Sequence, residues 1–133
     1  MRSLAQRVAL IFGVVFILVA LGGFITPGGM GMDANPDTAP RELGLFPINL
    51  LHNLVHLAFG IWGIAASRSW SASRTYCRVG GVIYIVLTIL AFVDPTTFGL
   101  VPIGGNDIWL HAVLGIVLAA VGFTSRPVAS TQS

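Results

Sequence analysis

What this chain goes without narrows its class before any motif is weighed. Its 133 residues contain no lysine and a single cysteine, and charged side chains make up only 9%. A soluble domain carries about 25% charged residues, so a water-facing surface cannot be assembled from this composition. The lone Cys77 excludes an internal disulfide and any cysteine-only metal cluster. All seven basic residues are arginine, which reads as codon usage and carries no mechanistic weight. No GxGxxG or P-loop stretch offers a nucleotide site, and no serine–histidine–acid or cysteine–histidine arrangement offers a nucleophile. The sequence therefore gives no basis for an enzyme, and a formal net charge of +2 gives none for a nucleic-acid partner.

What the chain does have is apolar length: 55% hydrophobic residues and a mean hydropathy of +0.86. Crossing about 30 Å of hydrocarbon as a helix takes about 20 apolar residues, with every backbone polar group satisfied inside the segment. Val8 to Ile25 carries no charge, and Leu45 to Ala66 is interrupted only by Asn49, His52, Asn53 and His56. Tyr76 to Val93 and Asn106 to Phe123 are shorter, and they span if Arg78 snorkels outward and the Asn106-Asp107 end lies among headgroups. The expectation is one all-α transmembrane domain over 1–133, with helices at about 6–25, 46–66, 76–93 and 106–124 and a loose tail at 125–133. A cleaved signal peptide is the competing reading of the first segment. Its apolar run exceeds the roughly 7–15 residues of such a core, and no convincing cleavage site follows.

Arg2, Arg7, Arg68, Arg74, Arg78 and Arg126 fall on one side of this arrangement, while Asp33, Asp37, Glu42, Asp94 and Asp107 fall on the other with Arg41. The arginine side is expected to be cytoplasmic, which places both termini inside a multi-pass protein of a bacterial cytoplasmic membrane. The proline- and glycine-rich stretch from Thr26 to Gly44 reads as an outer loop, and Asp94 to Gly99 as a shorter one. Trp62, Trp70 and Trp109 read as interface anchors.

The chain also repeats itself. Gly44-Leu45-Phe46-Pro47-Ile48, followed by His56 and Gly60, recurs 55 positions later as Gly99-Leu100-Val101-Pro102-Ile103, followed by His111 and Gly115. The repeat predicts a bundle of two tandem helical hairpins related by a pseudo-twofold axis along the membrane normal. His56 and His111 then lie at matching depth, and His52 lies near the level of Asp107, where the carboxylate is placed to accept an imidazole N–H.

Asn49, His52, Asn53 and His56 fall at i, i+3, i+4 and i+7, so one helix face gathers them. Asn106, Asp107 and His111 begin the fourth helix in a similar way. Polar side chains in a span turn away from lipid, so both faces should point into the bundle. Three readings follow. The leading one is a hydrogen-bonded network of Asn49, His52, Asn53, His56, Asp107 and His111 that fixes helix packing in an accessory or scaffold protein without cofactor. Such contacts contribute about 0.6 kcal/mol each. The second is a zinc or copper site using His52, His56, His111 and Asp107, or a haem held by His56 and His111. The third is a proton or small-solute path, with Tyr84 and Thr88 as its only continuation. Apart from the lipid bilayer, the partner expectation is a second copy or another membrane protein.

The stretch Gly-Leu-Phe-Pro-Ile-Asn-Leu-Leu-His-Asn-Leu-Val-His from Gly44 to His56, with Gly-Gly-Asn-Asp-Ile-Trp-Leu-His from Gly104 to His111, resembles the bacterial membrane family called domain of unknown function 4383. The likeness runs from about Arg7 to Gly122. It implies a small four-helix membrane protein, brings no activity with it, and marks Asn49, His52, Asn53, His56, Asn106, Asp107 and His111 as the positions to test.

Overall fold

In the computed structural model, which describes residues 1–129, four helices carry the chain. They are α1 (Leu4–Ile25), α2 (Leu50–Ala66), α3 (Trp70–Val93) and α4 (Asn106–Thr124), with a short antiparallel hairpin of β1 (Arg41–Glu42) and β2 (Phe46–Pro47) between α1 and α2. Three of the helices, α1, α3 and α4, are long and apolar enough to cross a membrane, and α2 is an apolar helix of 17 residues. Only 28–33% of the residues in the apolar 18-residue windows of these helices are buried, and side chains such as Ile11, Leu18, Ile89 and Ile116 are exposed, as a lipid-facing surface requires.

Caps decide where the helices begin, and this corrects two expected boundaries. α2 starts at residue 50 and not 46, because Phe46 and Pro47 are held in the hairpin and Asn49 is extended, its side chain accepting the His52 N–H at 2.9 Å. α3 starts at residue 70 and not 76. Ser69 accepts the Ala72 N–H at 3.2 Å, so the polar first turns from Trp70 to Thr75 are helical although their hydropathy does not announce it. α1 opens with a reciprocal capping box between Ser3 and Gln6. The stretch from Thr26 to Gly44, at the end of the bundle away from Ala5 and Ser125 (termed outer for that place alone) and expected as plain loop, contains β1. Of the expected tail, Ser125–Ala129 has no regular structure, though Ser125 Oγ accepts the Ala5 N–H at 3.2 Å, and 130–133 lie outside the described residues.

α1 packs on α2 and α3 on α4, each pair meeting at glycines. A Cβ built on Gly13 would lie 2.9 Å from the Gly60 carbonyl oxygen and 2.7 Å from the Ile64 nitrogen, and one on Gly81 would lie 2.5 Å from the Ala119 nitrogen. A backbone approach this close leaves no room for a side chain. The contacts recur in register. Gly13 and Gly81, Phe16 and Tyr84, and Ile17 and Ile85 are each 68 positions apart, while Gly60 and Gly115, and Ile64 and Ala119, keep the spacing of 55. The outer loops follow the same spacing. Leu43-Gly44 and Phe98-Gly99 all have positive φ, at 54°, 70°, 58° and 79°. Ile48 N–H donates to Pro40 O at 2.9 Å as Ile103 N–H does to Pro95 O at 2.8 Å. The core between the hairpins is built on Phe16, Tyr76, Cys77, Tyr84 and Leu118.

At one end of the bundle Gln6 Nε2 donates to Ser67 O at 3.2 Å, and Ser73 Oγ donates to Ala66 O at 2.8 Å. Arg78 Nε donates to Gly122 O at 2.8 Å while its guanidinium lies over Phe123. At the other end the two outer loops meet through Asn49, whose amide donates to Leu100 O at 2.8 Å.

Candidate functional site

α2 and α4 bring His52, His56 and His111 together in the half of the bundle nearer the outer loops. Each residue offers a ligand atom within 4.8 Å of those of the other two. All three are buried, at 6%, 8% and 4% exposure. The His52 and His56 rings meet edge to face with centroids 4.2 Å apart, one helical turn from each other. His111 Nδ1 lies 2.6 Å from the Asp107 backbone oxygen, so in the tautomer that donates this bond its Nε2 lone pair is free.

The expected network among the polar side chains is not formed: no side chain of Asn49, His52, Asn53, His56, Asp107 or His111 hydrogen-bonds to another of the set. Asn49 caps α2. Asn53 Nδ2 donates to Gly29 O at 2.9 Å and pins the outer loop, its side chain filling the space a Cβ on Gly23 would need. Asn106 donates to Leu45 O and accepts from Trp109 Nε1, so it stands apart from the histidines. Both nitrogens of His52, Nδ1 of His56 and Oδ2 of Asp107 are buried without a partner. The bond expected from His52 to the Asp107 carboxylate is therefore absent. Asp107 is 1% exposed and lines the same chamber as the histidines, outside the close three-nitrogen cluster. Thr88, the expected continuation of a proton path, donates its hydroxyl back to Tyr84 O at 2.8 Å.

Two chambers flank the imidazoles. One, of about 350 Å³, lies between α1 and α4, and its wall includes Val15, Phe16, Glu42, Phe46, Asp107 and Leu110 together with the three histidines. The other, of about 200 Å³, lies between α2 and α3 and reaches the same three histidines past Ile83, Tyr84, Thr97 and Val101. Phe16 stacks on His56 with centroids 5.4 Å apart, and Tyr84 lies against His111 at 5.1 Å. Sequence reasoning did not single out Phe16, counted Glu42 only among the acidic residues of one side, and gave Tyr84 another role. The 68-position spacing that aligns Gly13 with Gly81 also aligns Phe16 with Tyr84, and it was the available signal.

Glu42 closes the outer end of the larger chamber, its carboxylate occupying the space a Cβ on Gly22 would need. Burial raises its carboxyl above the ordinary glutamate range. A group whose pKa is raised by folding contributes stability below its unfolded pKa and loses it as pH rises through the folded value. Glu42→Gln should therefore melt above the parent on the alkaline side of that range and flatten the pH dependence of the midpoint. A series of thermal melts against pH checks this.

Residues 6–124 match the family described as domain of unknown function 4383, and the chain belongs to that family. No curated protein and no solved structure matches it.

Proposed function

We propose that this member of the domain of unknown function 4383 family is a membrane protein that holds one transition-metal ion, zinc or copper, on His52, His56 and His111. The observation that carries the reading is the convergence of three buried imidazoles, of which His52 Nδ1 and Nε2 and His56 Nδ1 have no hydrogen-bond partner. A buried polar atom left unpaired costs about 1–3 kcal/mol, so an apo site of this kind gains most from an ion that accepts the lone pairs. At Zn–N distances of about 2.0–2.1 Å, tetrahedral ligands stand roughly 3.3 Å apart, and small rotations of the rings bring nitrogens within 4.8 Å to that spacing. Neutral imidazole suits zinc and copper, and three protein ligands leave a position open toward a chamber. The geometry favours a single ion over a haem, because a porphyrin between His56 and His111 would need the space that His52 fills.

The setting proposed for the site is a bacterial cytoplasmic membrane, with the two hairpins as copies of one unit. Arg2 and Arg126 flank the bundle, Arg7 lies near the start of α1, Arg68 in the α2–α3 connection and Arg74 and Arg78 in the first turns of α3, all toward the end proposed to be cytoplasmic, and the histidines sit in the opposite half.

Elemental analysis and cobalt substitution test the ion directly. Purified protein is expected to take up one equivalent of zinc, and the cobalt form to show the visible absorption of a low-symmetry, nitrogen-ligated site. Protein that stays metal-free after exposure to zinc, copper and cobalt overturns the reading.

A further inference from the structure

The larger chamber has features that a metal site alone does not require. It lies between α1 and α4, which touch at few points along their length. Its rim includes Ile11 and Val15 on α1, 59% and 46% exposed on the apolar belt, so the opening is lateral and apolar. The hairpin residues Glu42, Leu43 and Phe46 cover its outer end. A molecule dissolved in the bilayer meets this rim directly. Inside, Phe12, Phe16 and Phe46 contribute aromatic wall, and Asp107, whose Oδ2 is buried without a partner, lines the chamber together with the three histidines.

The chamber between α2 and α3 is its counterpart in shape and not in chemistry. At the repeat spacings Val15 corresponds to Ile83 and Leu110 to Val55, but Asp107 corresponds to His52, Glu42 to Thr97, Phe12 to Gly80 and Phe46 to Val101. The carboxylates and the extra phenylalanines are confined to the larger side. That combination asks for a ring to lie among aromatic side chains and a hydroxyl to meet a carboxylate.

We propose that the larger chamber binds a lipid-soluble amphiphile that enters between α1 and α4 and brings a hydroxyl-bearing aromatic head to Asp107 beside the three histidines. The proposal deepens the metal reading and rests on it for what the head meets beyond Asp107.

The test is equilibrium binding of 4-octylphenol and of octylbenzene to the full chain in lipid nanodiscs, metal-free and zinc-loaded, with empty nanodiscs subtracted. The expected result is saturable binding of one 4-octylphenol per chain, at least tenfold tighter than octylbenzene. Val15→Trp, which plugs the rim from the lipid side, should abolish it, and Ile83→Trp, its counterpart on the smaller chamber, should leave it intact. Asp107→Leu should erase the preference for the phenol over the hydrocarbon. Equal binding of the two probes, binding that survives Val15→Trp, or no saturable binding overturns the proposal. The two readings fail separately. Stoichiometric zinc without phenol binding removes only this one, and Asp107-dependent phenol binding by a chain that takes no metal removes only the ion.

Discussion

Replacing His52 with leucine is expected to abolish stoichiometric zinc binding while leaving the metal-free protein as stable as the parent, or more so. His52 is 6% exposed and neither of its ring nitrogens has a partner, so in the apo protein the imidazole carries a desolvation penalty and returns little beyond its contact with His56. Leucine fills comparable space without polar atoms, and removing an unsatisfied buried polar group is neutral or stabilising. Adding zinc reverses the order of stability. An ion at about 100 times its Kd stabilises the folded state by about 2.7 kcal/mol, which the parent gains and the variant does not. Thermal melts of both proteins with zinc and with chelator give four midpoints. The expected pattern is a zinc-dependent rise in the parent, none in His52→Leu, and apo midpoints that are equal or reversed. If His52 were structural glue, the variant would melt lower by a similar margin with or without metal, and that pattern would count against the site.

The second large effect is a matter of packing. Gly81→Val is expected to destabilise the protein by at least the upper end of the roughly 1–3 kcal/mol that overpacking costs. A Cβ at Gly81 would stand 2.5 Å from the backbone nitrogen of Ala119 and 2.8 Å from its Cα, and backbone cannot swing aside as a side chain can. Relief comes only from parting α3 and α4, which also shifts His111 relative to His52 and His56 and weakens zinc binding. The adjacent glycine supplies the contrast. A Cβ at Gly80 has as its nearest neighbour the Leu118 Cδ1 at 3.4 Å, so Gly80→Ala should be tolerated with only a small change in midpoint. Denaturant titration of both variants in one detergent compares them. Equal midpoints for the two would mean that the close approach of α3 and α4 does not hold in the protein.

Much of this was legible in the sequence because two periodicities were written in side-chain chemistry. Apolar runs of spanning length marked the helices, and the 55-position spacing singled out His56 and His111, which the structure brings together with His52. What remained hidden was the partner each polar group would choose. Asn49 and Asn53 share a helix face with His52 and His56, yet one caps α2 and the other binds a loop carbonyl 24 residues away. Spacing along a helix sets direction and says nothing of what lies opposite. The start of α3 was hidden because a serine cap, and not hydrophobicity, initiates it. The chambers were hidden because an empty volume belongs to no residue, and Phe16 reads in sequence like any other apolar side chain of α1.

The chain order of the helices carries a mechanical meaning. On the smaller side, α2 and α3 are joined by the three residues Ser67 to Ser69, so spreading them works against a covalent tether. On the larger side, α1 and α4 are the first and last helices and no segment links them directly; at one end the Ala5 N–H donates to the Ser125 hydroxyl. With few other contacts between α1 and α4 among the described residues, loosening that bond lets the seam open without stretching any peptide, which makes the acid-lined flank the more compliant wall of the bundle.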